Sequence, residues 1–402
     1  MSFKTSKVRL GDGDIGVVFT GKTPSSANPE HWGNEIDFIT PSDFGIQSRY
    51  VTPKRRLSRQ GGIAFQRITV PPKSIMVTCI GSDMGKVAIT QNDTVTNQQI
   101  NTIRPIMQVD SLFLYYKLVN ARKLLRALAE GSGSTMPIIN KSTFENISFD
   151  FPKDKIIQEK IAKILGDLDR KIELNRQMNA TLEQIGQTLF KKYFVDNPES
   201  EEWENVQLGN YVELVNGATY KSSELSESDC ALLTLKNFKR KGGFKREGYK
   251  QFTGKFKDEQ VVQDGDLVVA HTDLTQQAEV AGVPALVSGA DDFQTVGISM
   301  DVVKIIPKEE LINSGFLYFL MMSHEFQSYK MGYITGSTVL HLNKKCIPNF
   351  TFKLPDEKTL QTLSPVFKEI IFKMTLNDSE IDSLEKTRDS VLPKLMSGEI
   401  KV

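Results

Sequence analysis

One short segment matches a nucleotide-binding motif. Residues 16–23 read GVVFTGKT, which satisfies the phosphate-binding pattern G-x-x-x-x-G-K-[ST]. Such a loop works because its backbone amides and the start of the following helix hold a phosphate. Here Pro24 and Pro29 follow closely, so a helix cannot begin at once and continue. The bulky, β-branched residues between the glycines predict a strand running into a turn. An NTPase using Lys22 and Thr23 stays open as an alternative function.

Basic side chains cluster in two loops, RYVTPKRRLSR at 49–59 and KNFKRKGGFKREGYK at 236–250. In the second loop Phe238, Phe244 and Tyr249 alternate with the basic residues, which suits contact with a nucleic-acid groove. A charge run is also commonly just a solvated face, and the sequence leaves both interpretations open. Residues 1–150 contain 18 Lys and Arg against 12 Asp and Glu, a net charge of +6, whereas residues 201–350 contain 15 against 20, a net charge of −5.

Other catalytic signatures and metal-ligand spacings are absent from the sequence. The three cysteines lie far apart and form no CxxC pair, and the four histidines show no ligand spacing, so we expect no metal site. The isolated cysteines favour a reducing cytosol, and we expect a cytoplasmic protein. The longest apolar run, FLYFLMM at 316–322, is too short to span a membrane.

The elements that would position these residues occur twice. VRLGDGDIGVVFTGKTPS at 8–25 returns as VQLGNYVELVNGATYKSS at 206–223, GSTMPIINKSTFENISFDFP at 133–152 returns at 336–355, and KIELNRQMNATLE at 171–183 returns at 373–385. The offsets of 198, 203 and 202 residues are nearly constant. A period this long indicates a duplicated domain plus a helix rather than a solenoid. Such a pseudo-twofold protein suits a target that also has two halves.

Each repeat contains short strands, a helical stretch, a GST loop and a long closing helix. The mixed strands and helices indicate an α+β or α/β domain in each repeat, and we predict an α+β fold for the chain. The GST loops, which include Ser134, Thr135, Ser337 and Thr338, would either contact phosphate or form a tight turn. The helical stretches are Ser111–Glu130 and Gly315–Lys330. Asp154 and Asp356 are predicted to cap the closing helices.

The closing helices carry apolar residues at seven-residue spacing, which fits a coiled-coil frame. They could also be two unrelated amphipathic helices on separate cores, but we predict that they pair as an antiparallel coiled coil. An asparagine occupies the matching core position of both helices, and such a residue sets register at a cost in stability. We therefore expect Asn175 and Asn377 to meet. The residues predicted to pair the helices are Ile161, Ile164, Leu168, Asn175, Leu182, Leu363, Ile370, Asn377 and Leu384.

In this order and present twice, these blocks make the chain resemble the specificity subunit of type I restriction-modification systems. The motifs include GKTPS, FITPSDF, IGSDMGKVAI with TNQQI, the GST loop leading to FDFP, and the ending LEKTRDSVLPKLMSGEI. The second half departs from the pattern, because AEVAGVPALV replaces GKVAI and QTVGISM replaces TNQQI. The resemblance implies target-recognition domains at 1–152 and 201–355, separated by conserved helical regions at 153–200 and 356–402.

The resemblance further implies a non-catalytic subunit that reads a bipartite double-stranded DNA target. The helices would set the unread gap and dock two methyltransferase subunits, to which two motor-nuclease subunits can be added. S-adenosylmethionine, ATP and Mg would be bound by those partners, with no cofactor on this chain. The alternative is a coiled-coil protein-binding adaptor that does not read DNA.

Base contacts in the major groove are expected from Arg, Lys, Asn and Gln side chains of the loops. The candidates in the first domain are Arg49, Lys54, Arg55, Arg56, Arg59, Asn97 and Gln98. The candidates in the second domain are Lys236, Asn237, Lys239, Arg240, Lys245, Arg246, Gln276 and Gln277. Lys22 and the serines and threonines of the two GST loops are expected to contact phosphate.

Overall fold

Short strands separated by glycine and proline build the sheets. The computed structural model describes residues 4–11, 13–45, 49–81, 84–130 and 138–402. The chain divides into two units, the first formed by Met1–Arg170 with Glu385–Val402 and the second by Lys171–Leu384. Each unit is described by itself.

The described residues of the first unit form three sheets. Its strands are β1 (Thr5–Arg9), β2 (Gly16–Thr20), β3 (Trp32–Gly33), β4 (Ile36–Ile39), β5 (Arg55–Leu57), β6 (Ile75–Thr78), β7 (Val87–Ile89), β8 (Thr94–Thr96), β9 (Ile100–Pro105) and β10 (Ser148–Pro152). The sheet orders are β2-β9-β6-β7, β3-β5-β4-β8 and β1-β10. All pairs are antiparallel except β4 with β8. The helices that begin in this unit are α1 (Arg59–Ala64), α2 (Ser111–Asn120), α3 (Arg122–Glu130), α4 (Lys141–Glu145) and α5 (Lys155–Phe190).

The second unit repeats this plan. Its strands are β11 (Asn205–Gln207), β12 (Val212–Asn216), β13 (Cys230–Leu233), β14 (Lys250–Gln251), β15 (Leu267–Ala270), β16 (Thr272–Asp273), β17 (Pro284–Leu286), β18 (Thr295–Ile298), β19 (Val302–Pro307), β20 (Ile334–Thr335), β21 (Leu340–Leu342) and β22 (Thr351–Lys353). Its further helices are α6 (Ser314–Met322), α7 (His324–Met331), α8 (Cys346–Asn349) and α9 (Glu357–Ser397). The order β12-β19-β15-β17 matches β2-β9-β6-β7, and the parallel pair β13 and β18 matches β4 and β8. The duplication seen in the sequence is therefore a duplication of topology.

The helical stretch predicted in each half is two helices rather than one. Ala121 separates α2 from α3, and Ser323 separates α6 from α7. Ser323 has extended backbone angles, and its hydroxyl accepts the backbone N–H of Phe326. A serine in this role starts a new helix, because the side chain satisfies an N–H that has no carbonyl partner. Apolar periodicity continues across such a break, which is why the sequence predicted one long helix.

Within the first unit, α5 and α9 share one hydrophobic core. Ile161 and Leu165 of α5 and Leu392 and Leu395 of α9 are buried in it, together with α2. Ile164, which was predicted to pair the helices, is instead 43% exposed. The next buried position after Leu165 on this face of α5 is a polar residue, Asp169. The heptad assignment used apolar residues only and therefore missed this position.

Within the second unit, the same helices run antiparallel. Lys171 contacts Glu380 at 3.2 Å, whereas the Phe190 ring lies 6.0 Å from the Phe367 ring, so rising numbers on α5 meet falling numbers on α9. Gly186 lets α6 pack closely against α5, because a Cβ atom at this position would lie 2.0 Å from the Phe319 ring of α6. Leu363 and Ile370 are buried as predicted, and Leu168, Leu182 and Leu384 are partly buried in their respective units.

The matched asparagines are buried at the helix pair of the second unit, each at 1% exposure. Asn175 donates to the Glu380 carboxylate at 2.8 Å, and Asn377 donates to the side-chain oxygen of Asn179 at 2.7 Å. The prediction that Asn175 and Asn377 contact each other is therefore wrong. Each asparagine bonds instead to another residue of the opposite helix. A buried amide needs such a partner, which restricts the register in which the helices can pair.

Both closing helices begin at the predicted aspartates. The Asp154 carboxylate accepts the backbone N–H of Ile156 at 2.9 Å, and the Asp356 carboxylate accepts that of Thr359 at 3.0 Å. The side-chain and backbone hydrogen bonds from Thr359 lower the pKa of Asp356 below its ordinary value. Both carboxylates satisfy N–H groups that have no partner within their own helix.

The segment that matches the phosphate-binding pattern is part of a sheet. Its residues 16–20 form β2, which pairs along its length with β9, and the Lys22 backbone N–H donates to the Thr96 carbonyl at 2.9 Å. A turn and a three-residue 3-10 helix, Pro29–His31, follow. The segment is therefore extended along the edge of the sheet, and no helix begins at Lys22 to support a phosphate.

Candidate nucleic-acid interface

The first unit presents an exposed arginine that is stacked on aromatic rings. The Arg55 guanidinium lies 4.3 Å from the centroid of the Trp32 ring and 5.3 Å from that of Phe38. Trp32 and Phe38 pack edge to face at 5.1 Å and so form a rigid base for it. Stacking holds the guanidinium plane through the ring face and leaves its N–H donors for another acceptor.

Basic neighbours of Arg55 bond within the protein. The Arg56 Nε donates to the Asp37 carboxylate at 2.9 Å, and the Lys54 Nζ donates to the Ser42 carbonyl at 2.9 Å. Arg55 has no acidic partner among the residues that the structure describes. It borders a cleft of about 550 Å³, whose lining residues are Trp32, Gly33, Asn34, Pro53, Lys54, Arg55 and Arg56. A fixed cation with unused donors at an open cleft can contact a base edge or a phosphate.

Further predicted residues of the first unit are exposed. Arg59 lies at the start of α1, and Lys22 follows β2. Gln98, which follows β8 in the chain, is also exposed. Its side-chain oxygen accepts a hydrogen bond from the Thr23 hydroxyl at 2.8 Å. These side chains can reach a ligand from solvent.

In the second unit, the basic loop is a tight turn with cations at its surface. The Lys239 N–H donates to the Gly243 carbonyl at 2.9 Å, closing a turn through Lys241 (φ 63°), Gly242 (φ 117°) and Gly243 (φ 92°). Positive φ at consecutive positions explains the glycine pair. Lys236, Lys239, Arg240 and Lys245 are exposed.

The aromatic residues of the basic loop pack inside the protein, so the groove contact that their alternation with basic residues suggested does not come from their rings. Phe238 and Phe244 are buried in the core formed by β13, β15 and β18, and their backbones form an isolated bridge. The Tyr249 hydroxyl donates to the Ser288 carbonyl at 3.1 Å, and burial raises the pKa of that hydroxyl well above its usual range. The alternation of basic and aromatic residues therefore places cations outside and rings inside.

Two other predicted sites of the second unit lie on exposed loops. Gln276 and Gln277 are exposed between β16 and β17. Ser337 and Thr338 are exposed in the turn between β20 and β21. Gly336 has φ +108°, and a Cβ atom there would meet the Val339 carbonyl oxygen at 2.2 Å, so this GST segment is a tight turn with exposed hydroxyls.

The comparison with known families agrees with the duplicated topology. A family model described as the type I restriction modification DNA specificity domain matches residues 6–184 and again residues 200–385. The chain belongs to this family. Type I specificity subunits are the non-catalytic, DNA-recognising components of the restriction-modification enzyme.

Curated relatives of this specificity subunit carry the same description. The MjaIX specificity subunit of Methanocaldococcus jannaschii is 26% identical over 416 residues, covering 97% of this chain and 92% of the relative. The MjaVIII specificity subunit of the same organism is 24% identical, covering 98% and 92%. The HindI specificity subunit of Haemophilus influenzae is 36% identical over 156 residues, or 38% of this chain and 34% of the relative.

A solved structure confirms the fold. The crystal structure of a type I restriction-modification S subunit from M. genitalium has a TM-score of 0.61, with 16% identity. The similarity covers 98% of this chain and 96% of that one.

Three of the residues that were predicted to bind DNA are buried, and a fourth, Arg246, is partly buried with its guanidinium bonded within the protein. We leave all four out of the proposed interface. In the first unit, Arg49 is 7% exposed; its guanidinium donates to the Gly166 carbonyl at 3.5 Å and lies 3.9 Å from the Asp169 carboxylate. Asn97 is 8% exposed, and its amide bonds to Gln99. These groups already have partners and have no access to a ligand.

The other two belong to the basic loop of the second unit. Asn237 is fully buried; its side-chain oxygen accepts the Thr234 N–H and its amide donates to the Lys245 carbonyl, both at 2.9 Å. Arg246 donates to the Ser288 hydroxyl at 2.8 Å and contacts the Asp382 carboxylate of α9 at 3.0 Å. Both side chains bond within their own unit and hold the shape of the loop.

Ser134 and Thr135, the predicted phosphate contacts of the first GST loop, lie outside the described residues.

A buried polar cluster of the first unit was not predicted. The Asp169 carboxylate accepts the Tyr116 hydroxyl and, at 2.8 Å, the Arg388 guanidinium from α9. Arg49 completes the cluster, which links the recognition domain to both helices of its own unit. The signal available in the sequence was a charged residue on the apolar stripe of each helix, but nothing local shows which residue it pairs with.

Metal ligands do not gather anywhere in the described part of the chain, where no group of three or more His, Cys, Asp and Glu could hold an ion. His271 is buried, and its pKa is lowered to about 4, mainly by burial and to a smaller extent by the nearby positive charge of Lys344. Among the described residues, no helix has both the length and the apolar character needed to cross a membrane.

Proposed function

We propose that each unit of this specificity subunit reads one half of a split double-stranded DNA target. The observation that carries the proposal is the Arg55 guanidinium, which is held by rings and has no acidic partner among the described residues. In the second unit Lys239 and Arg240 are exposed on one loop and Gln276 and Gln277 on another. The bond from the Lys241 N–H to the Glu279 carbonyl joins the two loops. Cations and amides together supply phosphate contacts and base-edge contacts.

The proposed interface keeps the predicted residues that are exposed. Arginine and glutamine read base edges, whereas Lys22 and the hydroxyls of the second GST turn contact phosphate. The full set is Lys22, Lys54, Arg55, Arg56, Arg59, Gln98, Lys236, Lys239, Arg240, Lys245, Gln276, Gln277, Ser337 and Thr338.

The long helices are proposed to dock two methyltransferase subunits and to set the unread gap between the half-sites. Support comes from large apolar side chains that stay exposed on the helix segments of the second unit, which are Leu174, Met178, Ile185, Val366, Phe372 and Leu376. On α5 these residues recur at spacings of four and seven, so they lie along one stripe. Exposed apolar stripes commonly mark sites where another protein binds.

Catalysis is assigned to the partners. The methyltransferase subunits would bind S-adenosylmethionine and methylate adenine, and motor-nuclease subunits with ATP and Mg would cleave unmodified DNA. Since the substrate is cellular DNA, the proposed complex works in the cytoplasm.

DNA affinity of the subunit purified with its methyltransferase tests the proposal against the adaptor alternative. A duplex containing the target should bind about 10³-fold or more tightly than an unrelated duplex. Both affinities should fall as salt rises, since bound cations displace counterions. An adaptor would show neither selectivity nor salt-dependent DNA binding.

Co-purification tests the helix surface. Phe372→Ser and Met178→Ser should each reduce recovery of the methyltransferase subunit, because they remove exposed apolar contact area. Met107→Ser, at an 87% exposed position outside the helices, is the matched control. Equal recovery for all three variants would remove this surface from the proposal.

A further inference from the structure

The loop between β16 and β17 has an exposed tip and a buried, charged base. Leu274 is 71% exposed, and Gln276 and Gln277 beside it are exposed. Asp273, at the start of the loop, and Lys330, on α7, are 1% and 3% exposed. Solvent-facing loops are ordinarily variable in conformation, so a loop anchored on two buried charges has an unusual requirement for a fixed shape.

The Asp273 carboxylate organises the loop backbone. It accepts the N–H groups of Thr275 and Val280, both at 2.6 Å, and of Ala281 at 2.9 Å. Burial alone would raise the pKa of Asp273, but the N–H donors from these three residues bring it below its ordinary value. One carboxylate therefore joins the first residues of the loop to the last.

Lys330 holds the same loop from the helix side. Its Nζ donates to the carbonyls of Ala281 at 2.7 Å and Ala278 at 3.3 Å. Ala278 has φ +51°, a conformation that alanine rarely adopts. Burial lowers the pKa of Lys330 to about 8, so the protein holds this cation at an energetic cost. The buried cation and the strained backbone at Ala278 both belong to the contacts that fix the conformation of the loop.

This loop and the basic loop form one surface. The Lys241 N–H donates to the Glu279 carbonyl at 2.8 Å, and the Glu279 carboxylate lies 3.7 Å from the Arg240 Nε and 3.7 Å from the Lys241 Nζ. The exposed glutamines are thereby tied to a cationic turn. Cations suit phosphates, a glutamine amide offers a donor and an acceptor that match adenine, and an apolar side chain suits the thymine methyl group.

We propose that Asp273 and Lys330 are positioning residues that hold Gln276, Gln277 and Leu274 against an A·T base pair in one half of the DNA target. The inference rests on the proposed function and extends it to the bases read by this loop. Neither positioning residue touches DNA; each acts through the loop backbone.

The experiment uses the subunit assembled with its methyltransferase and a library of duplexes in which each target base pair is replaced in turn. Gln276→Ala and Gln277→Ala change exposed positions and so retain the fold. At least one of them should remove discrimination at an A·T position by about 5- to 150-fold, the usual effect of one mismatched pair. Lys330→Met and Asp273→Asn should relax the same position while leaving affinity for unrelated duplex unchanged.

Lys304→Met is the matched control. Lys304 is a part-buried lysine of the same unit, with its Nζ bonded to the Val261 carbonyl at 2.9 Å and to the Asp266 carboxylate at 2.7 Å. If it relaxes the same position as Lys330→Met, the effect is general loss of stability and the positioning role is overturned. If both glutamine variants keep full discrimination, the assignment of the loop is overturned, whatever the buried variants do.

The proposed function fails separately, namely if the assembled complex shows no selectivity for any duplex. Adding Gln276→Ala to Lys330→Met should cause no further loss at the shared position, because both act on one contact. An additive loss there would contradict the proposal.

Discussion

Arg55 gives the sharpest prediction for the first recognition domain. Its guanidinium is held 4.3 Å from the Trp32 ring and 5.3 Å from the Phe38 ring, and no acidic group among the described residues competes for its donors. Because the side chain is already ordered, little rotamer entropy is lost when it binds. We expect Arg55 to contact a guanine through two N–H donors, the commonest specific contact of arginine.

Replacing Arg55 with alanine should therefore cost about 1–3 kcal/mol at one base position, or about 5- to 150-fold in affinity for the target. Arg55→Lys keeps the charge but loses the planar fork, so it should lose most of the same discrimination. Trp32→Leu removes the stacking surface and should give an intermediate loss at the same position.

The assay is competition binding by the assembled complex, with every base pair of the target replaced in turn. Arg67→Ala is the control, since Arg67 is also an exposed arginine of the first unit and carries the same charge. The reasoning is refuted if Arg55→Ala leaves affinity and base preference unchanged. It is also refuted if the loss is equal for every sequence and the salt dependence falls by about one ion, which is the behaviour of a phosphate contact.

Three further predictions concern the helices. Asp356→Ala should lower the unfolding free energy by about 1 kcal/mol through loss of the helix cap. The hydrogen bonds from Thr359 lower the pKa of Asp356 in the folded protein. The stability that the cap contributes is therefore fully present above the unfolded-state pKa and is lost as the pH falls through the folded-state pKa. Melting temperatures of wild type and variant that differ by the same amount at low pH would contradict this. The double change Asn175→Leu with Asn377→Leu should yield mixed registers or oligomeric states in sedimentation velocity, and a single species identical to wild type would remove their role in register. Arg388→Ala removes the closer of the two cations that contact the buried Asp169 carboxylate, which leaves only Arg49 at 3.9 Å. It should destabilise the protein by about 3–5 kcal/mol in denaturant unfolding, whereas a change below about 1 kcal/mol would mean that the remaining partners suffice.

The sequence predicted those parts of the fold that depend on local or repeated patterns. Repeated blocks identified two domains of one topology, and aspartates after the strand prolines marked the helix starts. The heptad pattern identified both long helices, but its frame placed Ile164 inside although Leu165 is the buried residue. That error arose because Asp169 occupies a core position, and a polar core residue is only identified by its distant partners.

The interface was less predictable, because exposure depends on contacts between segments far apart in the chain. Arg49 and Arg55 belong to one basic run, yet Arg49 is buried against Asp169 whereas Arg55 is exposed on Trp32. For Asn237 a local signal did exist: Thr234 and Asn237 have the spacing of a helix capping box, which explains a buried amide. The anchoring of the glutamine loop by Lys330 has no local signal.

The central claim is that this chain determines which DNA sequence is methylated. Single-molecule mapping of adenine methylation in host genomes with and without the gene tests it most directly. The account predicts a split motif with two specified halves that disappears on deletion and returns when the gene is restored. A split motif that persists unchanged after deletion, with the partner methyltransferase active, would contradict the account.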